Sequence, residues 1–238
     1  MIGNRLWSIV YKLLPPSMHA PQLFEINGQK LWLSADRCVY WEKNQTLIVS
    51  DLHFGKTGHF RKAGIAVPPD VYKEDLQRLW QQVQYFQPAE IIFVGDLFHS
   101  HANREHDWFL KWRNDIPSVV MHLVLGNHDI LPESDFKTMN LLVHQENLLI
   151  DDFCFVHDLD SEQVDGSVYF ICGHMHPGVR ISGLAKQSLQ FPCFYFTPHY
   201  AVLPAFSHFT GMAMIEPKRD ENVFAIVENT LILVGHSS

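Results

Sequence analysis

The sequence predicts a mixed α/β (α+β) protein in which two packed β-sheets form a sandwich flanked by helices. Three observations carry that reading. The first half of the chain alternates as β-α-β-α-β, and the second half is mostly β. Five apolar runs end in Asp, Asn or His, at the strand tips where an α/β sheet usually carries its site. The 238 residues are within range for one such domain, and a chain of that length buries about 70% of its unfolded surface, ample for a two-sheet core.

Residues 1–22 read as a loosely tied arm, and 23–238 as one domain. The apolar stretch from Leu6 to Leu14 is interrupted by Lys12 and stopped by Pro15-Pro16, which suits a short helix or lead-in better than a signal peptide. Phe24–Asn27 and Lys30–Ser34 flank Asn27-Gly28, a hairpin signal. Cys38–Trp41 is a further strand, Asn44-Gln45 a turn, and Thr46–Ser50 a strand running into Asp51-Leu52-His53. Pro68-Pro69-Asp70 starts a helix whose Val71, Leu76, Leu79, Trp80 and Val83 fall at helical spacing and which ends before Pro88. Ile91–Val94 is an unbroken run of β-formers, the mark of a strand buried on both faces. Gly95 lets the chain turn there and leaves Asp96 at the tip.

His101–Asn114 reads as a second helix, with Trp108, Phe109 and Trp112 inward. Val119–Leu125 is a strand leading to Gly126-Asn127-His128-Asp129, and a short helix follows Pro132. Leu141–Ile150 and Phe153–Val156 are strands around an Asp151-Asp152 turn, the second ending in His157-Asp158. Val168–Cys172 leads to Gly173-His174-Met175-His176. Short β runs complete the chain: Phe194–Phe196, Tyr200–Leu203, Met212–Ile215, Val223–Val227 and Leu231–Val234.

Composition narrows the function. The net charge of −8 repels nucleic acid and anionic lipid, so any polyanion site is local or supplied by metal. No run approaches the ~18 apolar residues of a membrane span. The four cysteines form no CxxC pair and at least two lie inside strand-like runs, as buried free thiols do in a reducing cytoplasm. Gly55-Lys56-Thr57 is not a phosphate-binding P-loop, because Ser50 stands where that pattern needs a glycine.

A single Gly-Asp after a strand is ordinary turn chemistry. The recurrence makes a site. Asp51, His53, Asp96, Asn127, His157, His174 and His176 bring two carboxylates, one amide and four imidazoles to the strand tips. Oxygen and nitrogen donors without sulfur suit two divalent ions, manganese first, with iron, zinc or cobalt able to replace it. Two ions about 3.5–4 Å apart can clamp a phosphate and lower the pKa of a bridging water for in-line attack. His128 points away from its neighbour Asn127 and is the natural proton donor to a leaving alkoxide, with Asp129 expected to hydrogen-bond it. Lys56, Arg61 and Lys62 form the most basic stretch near the tips and are candidate phosphate contacts.

These blocks, Asp51-Leu-His53, Gly95-Asp96-Leu-Phe-His99, Gly126-Asn127-His128-Asp129, His157 and Gly173-His174-Met-His176, resemble the calcineurin-like metallophosphoesterase signature across residues 46–177. The resemblance implies the four-layer fold of that superfamily and a dinuclear centre. Asp51, His53 and His176 would hold one ion, Asn127, His157 and His174 the other, and Asp96 would bridge. His128 would be the catalytic histidine and His99 would stand behind the ligands. Arg37 to Trp41, Phe60 to Pro68, and Val202–Phe206 before Phe209-Thr210-Gly211 further resemble the bacterial ligase-associated DNA damage response endonuclease family. That likeness implies cleavage of DNA alongside a DNA ligase and helicase in the cytoplasm. A small-molecule nucleotide phosphodiesterase or phosphatase is the rival enzyme reading, and a catalytically silent metal-binding scaffold for a repair partner the non-enzyme one.

Overall fold

The protein is described from a computed structural model, which describes residues 20–56, 71–99, 104–160, 164, 166–182 and 188–235. The first sheet holds seven strands: β1 (Gln22–Ile26), β2 (Gln29–Ser34), β3 (Cys38–Trp41), β4 (Thr46–Val49), β5 (Glu90–Val94), β6 (Val120–Val124) and β7 (Leu142–His144), neighbours in that order. The first three connections are antiparallel and the next three parallel. The β1–β2 turn is the expected Asn27-Gly28 pair, with φ of 50° and 70°.

The parallel half is wound by helices α1 (Val71–Phe86), α2 (Arg104–Asp115) and α3 (Glu133–Thr138). Strand alternation decides what each face meets. Leu47, Val49, Ile91, Phe93, Met121 and Leu123 face the helices and pack on Leu79, Val83, Phe109, Trp112 and Phe136. Ile48, Ile92, Val94 and Val124 face the other way, onto the second sheet.

That sheet contains β8 (Asn147–Ile150), β9 (Phe153–Val156), β10 (Tyr169–Cys172), β11 (Pro177–Ser182), β12 (Ser188–Phe196), β13 (Tyr200–Val202), β14 (Ala213–Met214), β15 (Asn222–Val227) and β16 (Thr230–Gly235). Phe153, Phe155, Ile171, Phe194, Phe196 and Phe224 close the inter-sheet core. The same strands turn Cys154, Phe170, Cys172, Cys193 and Tyr195 outward into a third cluster, covered by Leu159, Val164 and Val168. The described helices all pack on the first sheet, so this cover is made by loop residues.

Two expectations change. Leu141–Ile150 is not one strand: it breaks at Gln145-Glu146, and β7 stays in the first sheet while β8 joins the second. The polar pair lets the chain cross between sheets, a switch that a continuous β-former pattern hides. Pro177–Ser182 is a strand the apolar pattern missed, since its outer half is polar and exposed. The expected arm lies almost wholly outside the described residues.

Candidate metal centre

The site is built where five strands stop. β4, β5 and β6 end side by side and in parallel, and so do β9 and β10 on the facing sheet. Backbone bonds tie the ends together: Asp51 N–H to Gly95 O at 3.2 Å, His53 N–H to Asp96 O at 2.9 Å, and Gly173 N–H to His157 O at 3.1 Å. Asp51, His53, Asp96, His174 and His176 have φ between 48° and 62°, a left-handed conformation uncommon in residues with a Cβ. It bends each strand end so that its side chain turns into the space between the sheets.

Close approach needs missing side chains. A Cβ on Gly95 would stand 2.0 Å from His157 Nδ1, and one on Gly173 1.9 Å from Ser50 Oγ and 2.6 Å from Asp51 Oδ2. Glycine at these two places lets the carboxylates and imidazoles of different strands meet.

Six predicted residues gather into two donor sets. Asp51, His53 and His176 form one, and Asp96, His157 and His174 the other, each with one donor atom per residue, all within 4.8 Å of one another. In the first, His176 Nε2 is 3.2 Å from Asp51 Oδ1 and 3.4 Å from His53 Nε2. In the second, His157 Nε2 is 3.1 Å from His174 Nδ1. His157 Nδ1–H donates to Val94 O at 3.3 Å, which turns the Nε2 lone pair inward. Asp96 stands between the sets, with Oδ1 3.4 Å from His157 Nε2 and Oδ2 3.8 Å from His53 Nδ1. Asp51 Oδ1 and His53 Nδ1 are buried with no hydrogen-bond partner among the described residues. Buried donors of this kind fit divalent cations.

The charges agree. Burial opposes ionisation of Asp96, but the hydrogen bond and charge of His157, the His128 N–H and His53 outweigh it and hold the carboxyl below its usual range. Burial also opposes a charged His157, yet Asp96 and Asp51 raise it to about 9. His53 is pushed down to about 2 by burial and then by Lys56. A divalent cation would take the place of the His157 proton, since a ligand imidazole must be neutral.

The other predicted residues fall around this pair. Asn127 and His128 are exposed on the turn after β6, and the His128 backbone N–H donates to Asp96 Oδ1 at 2.9 Å. The His99 ring lies 4.1 Å from that of His128 and 5.4 Å from that of His53. The two oxygens of Asp129 accept backbone N–H groups, from Phe98 at 2.8 Å and Gly126 at 2.9 Å. Asp129 thus ties the Asp96 loop to the Asn127 turn, a different contact from the expected one to the His128 ring. Burial lowers the Lys56 ammonium from its usual range against the pull of Asp51 and Asp96, so Lys56 borders the site. Arg61 and Lys62 lie outside the described residues.

Sequence reasoning missed the bracket behind Asp51. Ser50 Oγ donates to Asp51 Oδ2, and Phe206 and Ser207 give their backbone N–H to Ser50 O and Asp51 O at 2.8 and 3.2 Å. Arg37 and Arg78 grip the same loop: Arg37 Nη1 donates to Ala205 O and Ser207 O at 3.2 and 2.9 Å, and Arg78 to Phe206 O. The signal was available in part, as an Arg next to a strand and an apolar stretch broken by Pro204.

Comparison with known proteins bears on this geometry. Residues 45–237 match the calcineurin-like phosphoesterase family. A crystal structure of the Pseudomonas putida nuclease MPE is similar at 26% identity and a TM-score of 0.76, covering 90% of this chain and 100% of that one. None of the curated proteins matches the chain. With the match running through both donor sets, the chain belongs to the calcineurin-like phosphoesterase family, whose members bind divalent metals, and is a metal-dependent phosphoesterase.

Proposed function

We propose that the chain is a dinuclear-metal phosphodiesterase that cuts DNA internally, acting in the cytoplasm in a DNA damage response beside a DNA ligase and helicase. The observation that carries the dinuclear reading is Asp96, whose two oxygens face different donor sets. Asp51, His53 and His176 would hold one ion. His157, His174 and Asn127 would hold the other, and manganese suits these donors best. When bound, the ions supply a clamp on the phosphate and an activated water for in-line attack. The chain does the rest. Asp96 fixes the spacing of the two sets, and Ser50 and the Phe206–Ser207 backbone fix Asp51. His128, exposed beside Asp96 with its ring against His99, holds a proton for the departing alkoxide. Asp129 positions His128 through the Phe98 and Gly126 backbone, and Lys56 contributes positive charge at the rim, with Arg61 and Lys62 as further phosphate contacts.

The similarity to a nuclease supports a nucleic-acid substrate, and the acidic chain keeps a small nucleotide as the second reading. Stripped protein reloaded with manganese, iron, zinc or magnesium, assayed on a chromogenic diester, its monoester and DNA, separates them. Diester and DNA turnover that needs metal and Asp96 is expected. Turnover of the monoester alone would make the protein a phosphatase, and stoichiometric metal binding with no turnover would make it a scaffold.

A further inference from the structure

A second recess adjoins the metal centre on the side of His176. It is a pocket of about 90 Å³ lined by Arg37, His176, Pro177, Pro192, His208 and Thr210, among others, and no carboxylate lines it among the described residues. Arg37 is its cation. The guanidinium is fixed before any ligand arrives, since Nη1 holds the carbonyls of Ala205 and Ser207 and the residue itself sits at a φ of 66°. Asp75 and Asp36 lie close enough to pull on its charge, but each also has a partner of its own, Asp75 with Arg78 at 2.9 Å and Asp36 with Gln82 at 2.6 Å, and neither lines the pocket. Burial first, then Arg78 and Arg37, push His208 down to about 3, so the Arg37 guanidinium is the charged group of the lining. Pro177, Pro192, Ala205 and Met212 form the remaining wall.

We propose that this pocket seats a second phosphate of the substrate, the one next to the scissile linkage, with Arg37 as its main contact and the His208 ring and Thr210 beside it. The inference rests on the polynucleotide reading above and deepens it. His176 belongs to both the donor set and the pocket wall, so a phosphate held by Arg37 would lie beside a phosphate at the metals. A planar, preorganised guanidinium is the group that recognises phosphate oxygens best. Such a subsite distinguishes a nucleic-acid strand from an isolated diester, a discrimination that an acidic surface does not otherwise provide.

The test uses the metal-loaded full chain and trinucleotides in which one linkage is scissile and the other is either phosphate or a neutral methylphosphonate. With the unaltered protein, neutralising the linkage on one side of the cut is expected to raise KM about ten-fold. Arg37→Gln should bring the two KM values towards parity, and Arg37→Lys should keep part of the difference. A loss of folding would instead lower turnover of both substrates together. Equal KM values on the unaltered protein with the neutral linkage on either side, or an undiminished difference in Arg37→Gln, would overturn the subsite. No cleavage of the all-phosphate trinucleotide beside turnover of a chromogenic ester would sink the polynucleotide reading and the subsite with it.

Discussion

His128 is attached to Asp96 through its own backbone: its N–H donates to Oδ1 at 2.9 Å, and its ring Nε2 stands 4.0 Å from Oδ2. The two residues can therefore be separated by mutation. His128→Ala keeps the backbone donor and should retain both metal ions while lowering kcat on a diester about 100-fold. Asp96→Asn should lose metal as well as activity. Metal content after gel filtration, read beside kcat, distinguishes the two. An Asp96→Asn protein that keeps two ions per chain would remove Asp96 from the bridge.

Metal removal should destabilise the fold, because the donor sets join two sheets and ions that bind only the folded state add to its stability. With metal at about 100 times Kd, chelation should lower Tm by roughly 5–10 °C. Differential scanning fluorimetry with and without chelator measures it. A Tm indifferent to chelation would mean that the ions bind a surface already locked in place.

Gly173→Ala puts a methyl where Ser50 Oγ and Asp51 Oδ2 now stand. Asp51 has no room to retreat, being fully buried and bracketed by Phe206 and Ser207. A cost of about 1–3 kcal/mol in urea unfolding is expected, with weakened metal binding. Native-like stability with full metal occupancy would show that the strand ends can move apart.

Away from the site, His122 Nδ1 faces His144 Nε2 at 3.0 Å, and His122 Nε2 is 3.5 Å from Glu90. Burial lowers His122 against the pull of Glu90, and burial then His122 lower His144, both from 6.5. The folded state thus binds fewer protons than the unfolded chain, and stability is lost as pH falls below about 6.5. His144→Gln should flatten the dependence of Tm on pH between neutral and pH 5, relative to the parent chain. An unchanged slope would assign the acid sensitivity to other groups.

The strand tips were legible because chemistry and pattern coincide there: an apolar run is visible, and so is the Asp or His that ends it. Asp51, Asp96 and His157 are read in this way, and the structure brings each of them into one of the two donor sets. The partners of Asp129 were not, since they are backbone groups of Phe98 and Gly126, and a sequence does not state where a backbone donor points. The bracket on Asp51 was hidden for the same reason and by distance, because Ser207 lies far along the chain from Ser50. The crossing between β7 and β8 was missed because both halves are β-formers, and only the sheet each one joins differs.

The left-handed backbone at Asp51, His53, Asp96, His174 and His176 has a consequence for variation. Glycine would relax the backbone at each of these positions, but at Asp51 and Asp96 it would also leave the Ser50 hydroxyl and the His128 N–H without their acceptor, so only at the exposed His174 does conformational preference favour the residue that destroys the site. His174→Gly in the metal-free state should melt higher than its parent, and Asp51→Gly lower. Backbone preference cannot account for any of the five side chains. A screen for thermal tolerance alone would erode this centre from His174, while a screen for turnover would keep its strain in place.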